Sequence, residues 1–329
     1  MTDKQVASDV AIRLRRIGSS DASDQAKSLS AWNHSYTQLS NGDFSGAVEE
    51  FGLGSTIVYR EVLNRAVLQT GTTVPECILL GAIVAMDGSA FYNGTWFDRP
   101  VVLTMRPGRE FEFRSPLSHE IVAGSVGLSD FEAYASAAEG CSSDRLLECM
   151  KPVSCNSVAA RKLASIVKMA EAAGQQAMSA RQLALAAREI KSGLLDCLVA
   201  CCSTKDCRAE GTTRIRASRI RIFRRADQYI REHVGDPIDI ETLCRVTNAS
   251  RRTLQYCFED VLDINPLMYL RCVRLNGVRN SIRASAARER TIADIAAEWG
   301  FWHQSNFSAY YKQMFGELPS ETTAKRISM

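Results

Sequence analysis

Two short runs in the C-terminal third of the sequence carry side chains with hydrogen-bonding groups. The first run is Arg251, Arg252, Gln255 and Tyr256, and the second is His303, Gln304, Ser305 and Asn306. A guanidinium can pair with O6 and N7 of guanine or with phosphate, and a carboxamide can pair with N6 and N7 of adenine. The same side chains also occur on ordinary solvated helix faces, so their meaning depends on the elements that carry them.

The second run opens a helix that follows another helix across a glycine turn. Thr291 is typical of a helix N-cap, and Gly300 permits the left-handed backbone that a tight turn requires. Between them, apolar residues recur at i, i+3, i+4 and i+7, as in a short amphipathic helix: Ile292, Ile295, Ala296 and Trp299. The helix beyond the turn places five large side chains inward: Phe307, Tyr310, Tyr311, Met314 and Phe315. This order predicts a helix-turn-helix.

The first run lies in an earlier copy of the same pattern. Asp239 can cap one helix, Asn248-Ala249 make the turn, and Ser250 can cap the next helix. The i, i+4 pair of Leu254 and Phe258 recurs 53 positions later in the second copy. Each copy therefore predicts one reading helix.

A long helix is predicted between the two copies. Asn265 and Pro266 open it, since proline at the first helical position loses no hydrogen bond, and it runs to about Ser285. Twenty residues span about 30 Å, and successive major grooves on one face of B-DNA lie about 34 Å apart. The connector can therefore place two reading helices in neighbouring grooves.

Together these residues resemble the DNA-binding domain of the AraC/XylS family of bacterial transcription regulators over residues 215–326. The matching positions are Ser250, Leu254, Phe258, Pro266, Tyr269, Leu270, Arg274, Leu275, Ile295, Ala296, Gly300, Phe301, Ser305, Phe307, Phe315, Gly316 and Pro319. The resemblance implies a seven-helix domain at 215–329 that reads promoter DNA with both runs. The chain departs from the family pattern at Asp263, Val278, His303, Ala309 and Thr322-Thr323, so no base preference is carried over.

Charge is uneven along the 329 residues. The net charge is +3, but residues 214–329 hold 19 Lys and Arg, 17 of them Arg, against 13 Asp and Glu. This excess fits a nucleic-acid partner, although a solvated helical surface would look the same. The start is polar, without the apolar core of a signal peptide, and no run approaches the roughly 18 apolar residues of a membrane span. A cytoplasmic, nucleoid-associated protein that makes no membrane contact is expected.

Residues 32–128 show the sequence pattern of an antiparallel sheet domain. Short apolar runs are separated by Gly71, Asp87-Gly88, Asn93-Gly94 and Pro107-Gly108 at roughly ten-residue spacing. The resemblance makes a cupin-like β-barrel that senses a small molecule the expected form. "WNHSYTQLSNGDFSG" and "LGSTIVYREVLNRAV" are also faintly similar to regulators of ethanolamine operons, which identifies no ligand here.

A cupin-type enzyme is the alternative for this domain. Such an enzyme commonly holds a metal with several His and a Glu, but only His34 and His119 are available in and just before the barrel stretch. Gly52-Leu53-Gly54 is an incomplete phosphate loop, and no nucleophile elbow or P-loop is present. We therefore predict no enzyme activity, no catalytic residue, no metal site and no cofactor.

Residues 129–202 are predicted to be helical. Leu183, Ala187, Ile190 and Leu194 make a short seam that either packs against the same chain or joins two protomers. Four cysteines lie close in sequence and are expected to pack as small apolar residues in a reducing compartment: Cys197, Cys201, Cys202 and Cys207. Residues 1–31 are expected to form a flexible arm and 203–214 a linker.

The sequence thus predicts an α+β protein with an N-terminal effector-sensing barrel, appended helices and a C-terminal all-α domain with two helix-turn-helix motifs. The predicted function is a ligand-responsive transcription regulator, with activation as the expected mode. Its expected partners are double-stranded promoter DNA, an unknown small-molecule effector, RNA polymerase and a second copy of the chain. A DNA-binding protein that responds to no ligand remains open.

Overall fold

A computed structural model describes residues 13–29, 33–139, 142–176, 178–203, 214–284, 290–302 and 304–327. These residues fall into two compact units, the first within Met1–Ser35, Ser45–Asn64 and Gln69–Ala209, and the second within Tyr36–Phe44, Arg65–Leu68 and Glu210–Met329. The strands are β1 (Arg13–Ser19), β2 (Asn33–Gln38), β3 (Gly46–Leu53), β4 (Thr56–Leu63), β5 (Val67–Thr72), β6 (Cys77–Asp87), β7 (Ala90–Tyr92), β8 (Thr95–Phe97), β9 (Val102–Met105), β10 (Glu110–Arg114), β11 (Ser118–Gly127) and β12 (Val153–Ser154). The helices are α1 (Ala22–Ser28), α2 (Leu128–Glu139), α3 (Ser143–Cys149), α4 (Ser157–Gln175), α5 (Ala180–Ser203), α6 (Arg214–Glu232), α7 (Ile240–Thr247), α8 (Arg251–Leu262), α9 (Pro266–Ala284), α10 (Ile292–Glu298), α11 (Gln304–Phe315) and α12 (Pro319–Ile327).

The strands form two sheets. One has the order β1-β3-β4-β11-β6-β9-β12, and all its neighbours are antiparallel. The other has the order β2-β5-β10-β7-β8. Among the described residues neither sheet closes on itself, so the expected cupin-like barrel is not confirmed. Helices bury the apolar face of the larger sheet instead, since Val58 and Val122 share a core with Leu163 of α4 and Ile190 of α5.

The predicted helical seam lies largely inside this core. Ile190 and Leu194 are fully buried within the chain, while Leu183 at the start of α5 is half-buried. Cys197 and Cys201 belong to the same core, and burial raises the pKa of their thiols to about 11 and about 12. The buried part of the seam therefore packs against its own chain, and the cysteines on it act as small apolar residues.

The part of the predicted arm that the structure describes is ordered. β1 pairs with β3, and the ion pairs Arg15–Glu50 (3.1 Å) and Arg16–Glu49 (3.0 Å) join the two strands. α1 buries Gln25, whose amide donates to a carboxylate oxygen of the larger sheet. The sequence did not indicate this strand because cross-strand charge pairing, rather than alternating apolar residues, accompanies its backbone pairing.

The second unit contains the seven helices α6 to α12 within its described residues, together with residues 36–44 and 65–68 from the stretch expected to belong to the β-rich domain. Its core includes three mutually contacting aromatic rings, Phe223, Phe258 and Tyr269, with centroids 5.0 to 5.9 Å apart. The Tyr269 hydroxyl donates to Asp227 at 2.5 Å. In the described part of either unit, no helix combines the length and apolar character that a membrane crossing needs.

The first unit is expected to lose stability in mild acid because of a buried histidine on β11. His119 is 3% exposed, and neither ring nitrogen has a hydrogen-bond partner among the described residues. Burial lowers its pKa from 6.5 to about 3, so the unfolded chain takes up a proton in a pH range where the folded chain does not. The stabilisation by neutral His119 is complete above pH 6.5 and is lost as the pH falls toward 3.

We expect this loss to reach about 2 kcal/mol between pH 7 and pH 5 for His119 alone. Urea unfolding of the first unit at both pH values measures it. His119→Phe should remove this share of the pH dependence and leave the share of His34, whose pKa burial lowers to about 4, whereas His233→Phe in the second unit should leave the pH dependence unchanged. Equal pH dependence in wild type and His119→Phe would contradict the assignment.

Candidate nucleic-acid interface

The first helix-turn-helix is held by local caps. Asp239 accepts from the backbone N–H of Thr242 at 2.8 Å at the start of α7, and Ser250 accepts from that of Thr253 at 3.2 Å at the start of α8. Asn248 ends α7 in the left-handed region at φ 53°. Asparagine tolerates this conformation better than most residues, so three consecutive residues suffice to turn the chain between the helices.

All four predicted residues of α8 face outward. Arg251, Arg252, Gln255 and Tyr256 are exposed, while Leu254, Cys257, Phe258 and Val261 bury the opposite face of the helix. The guanidinium of Arg252 donates to the Tyr256 hydroxyl at 3.0 Å and lies 5.4 Å from the ring centroid. Gln255 donates to Glu259 at 3.0 Å. The helix thus presents one continuous face of hydrogen-bonding groups.

A further arginine, which the sequence did not indicate, lies beside this face. Arg219 of α6 lies 5.5 Å from the ring centroid of Tyr256 and donates to Asp260 at 2.5 Å. The hydrogen bond to Asp260 is the main cause that raises the pKa of Arg219. Two guanidinium groups therefore flank the Tyr256 ring, and that of Arg219 is paired with the Asp260 carboxylate. Only the packing of α6 against α8 reveals it, because Arg219 precedes the motif by more than 20 positions.

The second helix-turn-helix has a reciprocal cap. Thr291 accepts from the backbone N–H of Asp294, and the Asp294 carboxylate accepts from that of Thr291, both at 3.1 Å. Gly300 then takes φ 77°, and a Cβ there would lie 2.6 Å from the Arg274 guanidinium carbon. Both the backbone conformation and the close approach therefore require glycine at this turn.

α11 begins at Gln304, so the predicted second run lies at the start of this helix. Gln304 and Ser305 are on its first turn, Asn306 is exposed, and His303 lies outside the described residues. Trp302 is 53% exposed just before the helix, and the Arg274 guanidinium lies 6.0 Å from its ring centroid. An exposed indole at this place is a candidate contact.

The connector helix α9 joins the two copies. Its 19 residues correspond to about 28 Å, and both α8 and α11 pack against it. Arg274 of α9 is 9% exposed and donates to the carbonyl oxygens of Val234 (2.9 Å), Asp236 (2.5 Å) and Gly300 (3.4 Å). Burial lowers its pKa. This one side chain ties the segment before α7 and the turn before α11 to the connector.

The second unit also contains residues 36–44, here called the strap. The Asn276 side chain of α9 accepts from the backbone N–H of Gln38 and donates to its carbonyl oxygen, both at 3.0 Å. Asn276 also donates to the carbonyl oxygen of Cys272 at 2.8 Å. An amide side chain that pairs with both backbone groups of one residue fixes the strap on the connector helix in a single register.

The strap also caps the end of α11. The carbonyl oxygen of Met314, in the last turn of the helix, accepts from the backbone N–H of Gly42 at 3.0 Å and from the Gln38 side chain at 2.9 Å. Carbonyl groups at a helix C-terminus lack partners within the helix, so these bonds satisfy an otherwise unpaired acceptor. A Cβ at Gly316 would collide with Asp43 of the strap, which leaves glycine as the residue that fits.

Two helix-turn-helix units on one connector helix define a DNA-binding domain. A family model described as "Helix-turn-helix domain" matches residues 243–325. Over 100 residues the chain is 35% identical to the XylDLEGF operon transcriptional activator of Pseudomonas putida, which covers 30% of this chain and 31% of that protein. It is 32% identical over 100 residues to the "Probable thc operon regulatory protein" of Rhodococcus erythropolis, covering 30% of each. A solved transcriptional regulator with an AraC-type DNA-binding domain from Chromobacterium violaceum aligns with a TM-score of 0.30 and 25% identity, covering 32% of this chain and 91% of that chain.

Residues 243–325 therefore form a helix-turn-helix domain of the AraC/XylS type, which confirms the resemblance for this part of the chain. The chain spans about a third of the length of the curated relatives named above, 31% and 30%. The matched region includes α8, α9, α10 and α11. Both the strap and Arg219 lie outside it.

Proposed function

We propose that the whole protein is a ligand-responsive, sequence-specific transcription regulator. Its second unit binds promoter DNA, its first unit holds a small-molecule effector, and it acts with RNA polymerase, as a homodimer, to activate an operon. The outward face of α8, joined to α11 by one connector of about 28 Å, carries this proposal. The named relatives are operon regulators, which favours this function over a cupin-type enzyme.

Each predicted contact has a proposed role. Arg251, Arg252, Gln255 and Tyr256 would contact bases and phosphates from α8, and His303, Gln304, Ser305 and Asn306 would do so from the start of α11. The N-terminus of α11 adds backbone N–H groups and a partial positive charge that favour phosphate. A dimer interface would have to use surface other than the buried part of the α5 seam.

The proposal is tested with a duplex selected from a random DNA library by the full-length protein. Gln304→Ala is expected to weaken binding to the selected duplex by about 1–3 kcal/mol, and much less to a scrambled duplex, because a base contact carries sequence information. Arg252→Ala should also weaken binding. If Arg252 contacts only phosphate, this substitution should lower the affinity for both duplexes equally and make the salt dependence of binding shallower by about one.

Arg225→Ala is the matched control. Arg225 is exposed on α6, so the substitution removes one positive charge at a position outside both reading helices. Titrations at several salt concentrations should leave this variant close to wild type. Failure to select any sequence, or affinity that does not respond to salt, would contradict the proposed function. If Gln304→Ala loses the same binding affinity on both duplexes, then either Gln304 contacts phosphate or the substitution disturbs the fold.

A further inference from the structure

The first unit contains a cavity of about 310 Å³ between β7, β9 and β10 and the segment that leads into β12. Its walls are mostly apolar: Tyr92, Phe111 and Met150 are buried there, and Met105 is half-buried beside them. This volume lies at the lower end of the range for small-molecule sites, which is about 300–1,000 Å³. The cavity therefore suits a compact ligand with an apolar body.

Several polar groups around the cavity already form hydrogen bonds with the backbone of the segments that line it. The Tyr92 hydroxyl donates to the carbonyl oxygen of Thr104 at 3.3 Å, and the Thr73 hydroxyl donates to that of Arg106 at 2.6 Å. The side-chain oxygen of Asn93 accepts from the backbone N–H of Glu112 at 2.9 Å. The first two bonds join segments of the two different sheets, and the third joins the end of β7 to its neighbour β10, so the cavity is largely formed before any ligand enters.

The groups left over are mainly hydrogen-bond donors. Nη2 of Arg106 donates to the carbonyl oxygens of Glu148 and Met150, both at 3.0 Å, which leaves Nη1 and Nε without a partner among the described residues. The side-chain amide nitrogen Nδ2 of Asn93 and the Arg109 guanidinium likewise have none in the described part of the chain. Backbone carbonyls orient Arg106 without a carboxylate that would neutralise it, so its positive charge remains available.

We infer that this cavity binds a small monocarboxylate whose apolar body lies between Tyr92 and Phe111 and whose carboxylate meets Arg106 and Arg109. Arg106, Arg109 and Glu110 give the lining a net charge of +1, which matches one carboxylate. A phosphate monoester carries about −1.5 to −2 near neutral pH and would be undercompensated. Recognition of this ligand as the effector rests on the proposed function, whereas its binding does not.

The test uses the full-length protein with 3-phenylpropionate and cyclohexanecarboxylate, each paired with its neutral amide, and with inorganic phosphate. Each acid and its amide share a shape, so their difference in affinity reports the carboxylate. Calorimetric titration should show each acid binding at least about tenfold more tightly than its amide, a difference of about 1.4 kcal/mol. Phosphate should bind more weakly than either acid.

Two substitutions locate the site. Arg109 is exposed and its guanidinium has no partner among the described residues, so Arg109→Gln should preserve the fold and weaken acid binding about tenfold without affecting the amides. Arg99→Gln removes the same charge from an exposed position outside the lining and should change nothing. Arg106→Gln should also weaken acid binding if urea unfolding shows the first unit intact.

The inference is overturned if neither acid binds at millimolar concentration, if acids and amides bind equally, or if Arg109→Gln behaves like Arg99→Gln. Phosphate binding tighter than either acid would also overturn it. DNA titrations on the same preparations separate the two proposals. Acid binding by a protein that selects no DNA would overturn the proposed function alone, and acid binding that leaves DNA affinity unchanged would overturn the effector role while the carboxylate site stands.

Discussion

Replacing Arg274 by Met is expected to destabilise the second unit by about 2–4 kcal/mol, because carbonyl groups that the guanidinium satisfies would be left inside the fold. The carbonyl of Gly300 is buried and that of Val234 is half-buried, whereas Asp236 is exposed and can turn to water. Met fills much of the same volume, so the loss reports hydrogen bonding more than a cavity. The loosened segments lead directly into α7 and α11, so DNA affinity should fall as well.

Amide hydrogen exchange of the full-length protein localises this effect. Exchange should accelerate in peptides covering α7, α10 and the turn at Gly300, while β11 in the first unit keeps its protection. Arg274→Lys should recover only part of the stability, because one ammonium cannot reach three carbonyls that approach from different directions. Asn280→Met changes an exposed residue of the same helix and should resemble wild type. If amide exchange in Arg274→Met is the same as in Asn280→Met, the guanidinium does not stabilise α7, α10 or the turn at Gly300.

Replacing Asn276 by Ala is expected to release the strap from the connector helix. The substitution removes three hydrogen bonds, two of which satisfy both backbone groups of Gln38. Leaving these groups unpaired costs about 1–3 kcal/mol each, and Ala returns only about 0.5 kcal/mol through its higher helix propensity. The net loss should be about 1.5–5.5 kcal/mol. Because the strap also caps α11 at Met314, the end of that reading helix should lose protection together with residues 36–44.

Asn280→Ala is the matched control, since it makes the same substitution one turn later on the same helix at an exposed position. Gln38→Ala removes the side-chain bond to Met314, together with the side-chain bonds to the carbonyl oxygens of Ser40 and Gly42 within the strap, but keeps the backbone bonds to Asn276. Hydrogen exchange of the strap and of α11, with DNA titration on the selected duplex, gives the readout. Unchanged exchange in residues 36–44 of Asn276→Ala would show that other contacts hold the strap.

The two helix-turn-helix units were predictable because their signals are local. A cap, an apolar stripe and a turn residue lie within about two and a half helical turns of one another, as for Thr291, Asp294 and Gly300, and each signal acts on the backbone next to it. The outward position of Arg251, Arg252, Gln255 and Tyr256 follows from the same helical period. Their role in contacting DNA stays a prediction, as does that of the run at the start of α11.

Long-range pairing decided what the sequence could not. The sequence predicts an arm where β1 forms, because the residues of β3 that pair with β1 lie 27 to 39 positions away and the ion pairs between the two strands resemble ordinary surface charges. The sheet-forming segments were visible, but whether they close into a barrel depends on which edges pair, and here helices cover the sheet. The seam on α5 likewise looks the same in sequence whether it meets its own sheet or a second chain.

The sequence by itself determined the helices of the DNA-binding domain, their caps and the residues on their exposed faces. Only the tertiary structure showed that Arg219 lies beside Tyr256 and that the backbone of Gln38 bonds to the Asn276 side chain. It also showed that the guanidinium groups of Arg106 and Arg109 line one cavity. The physical reason is the same in each case. Helical period and capping act over a few residues, whereas these contacts join positions that only the folded chain brings together, and no pattern along the sequence records the distance between them.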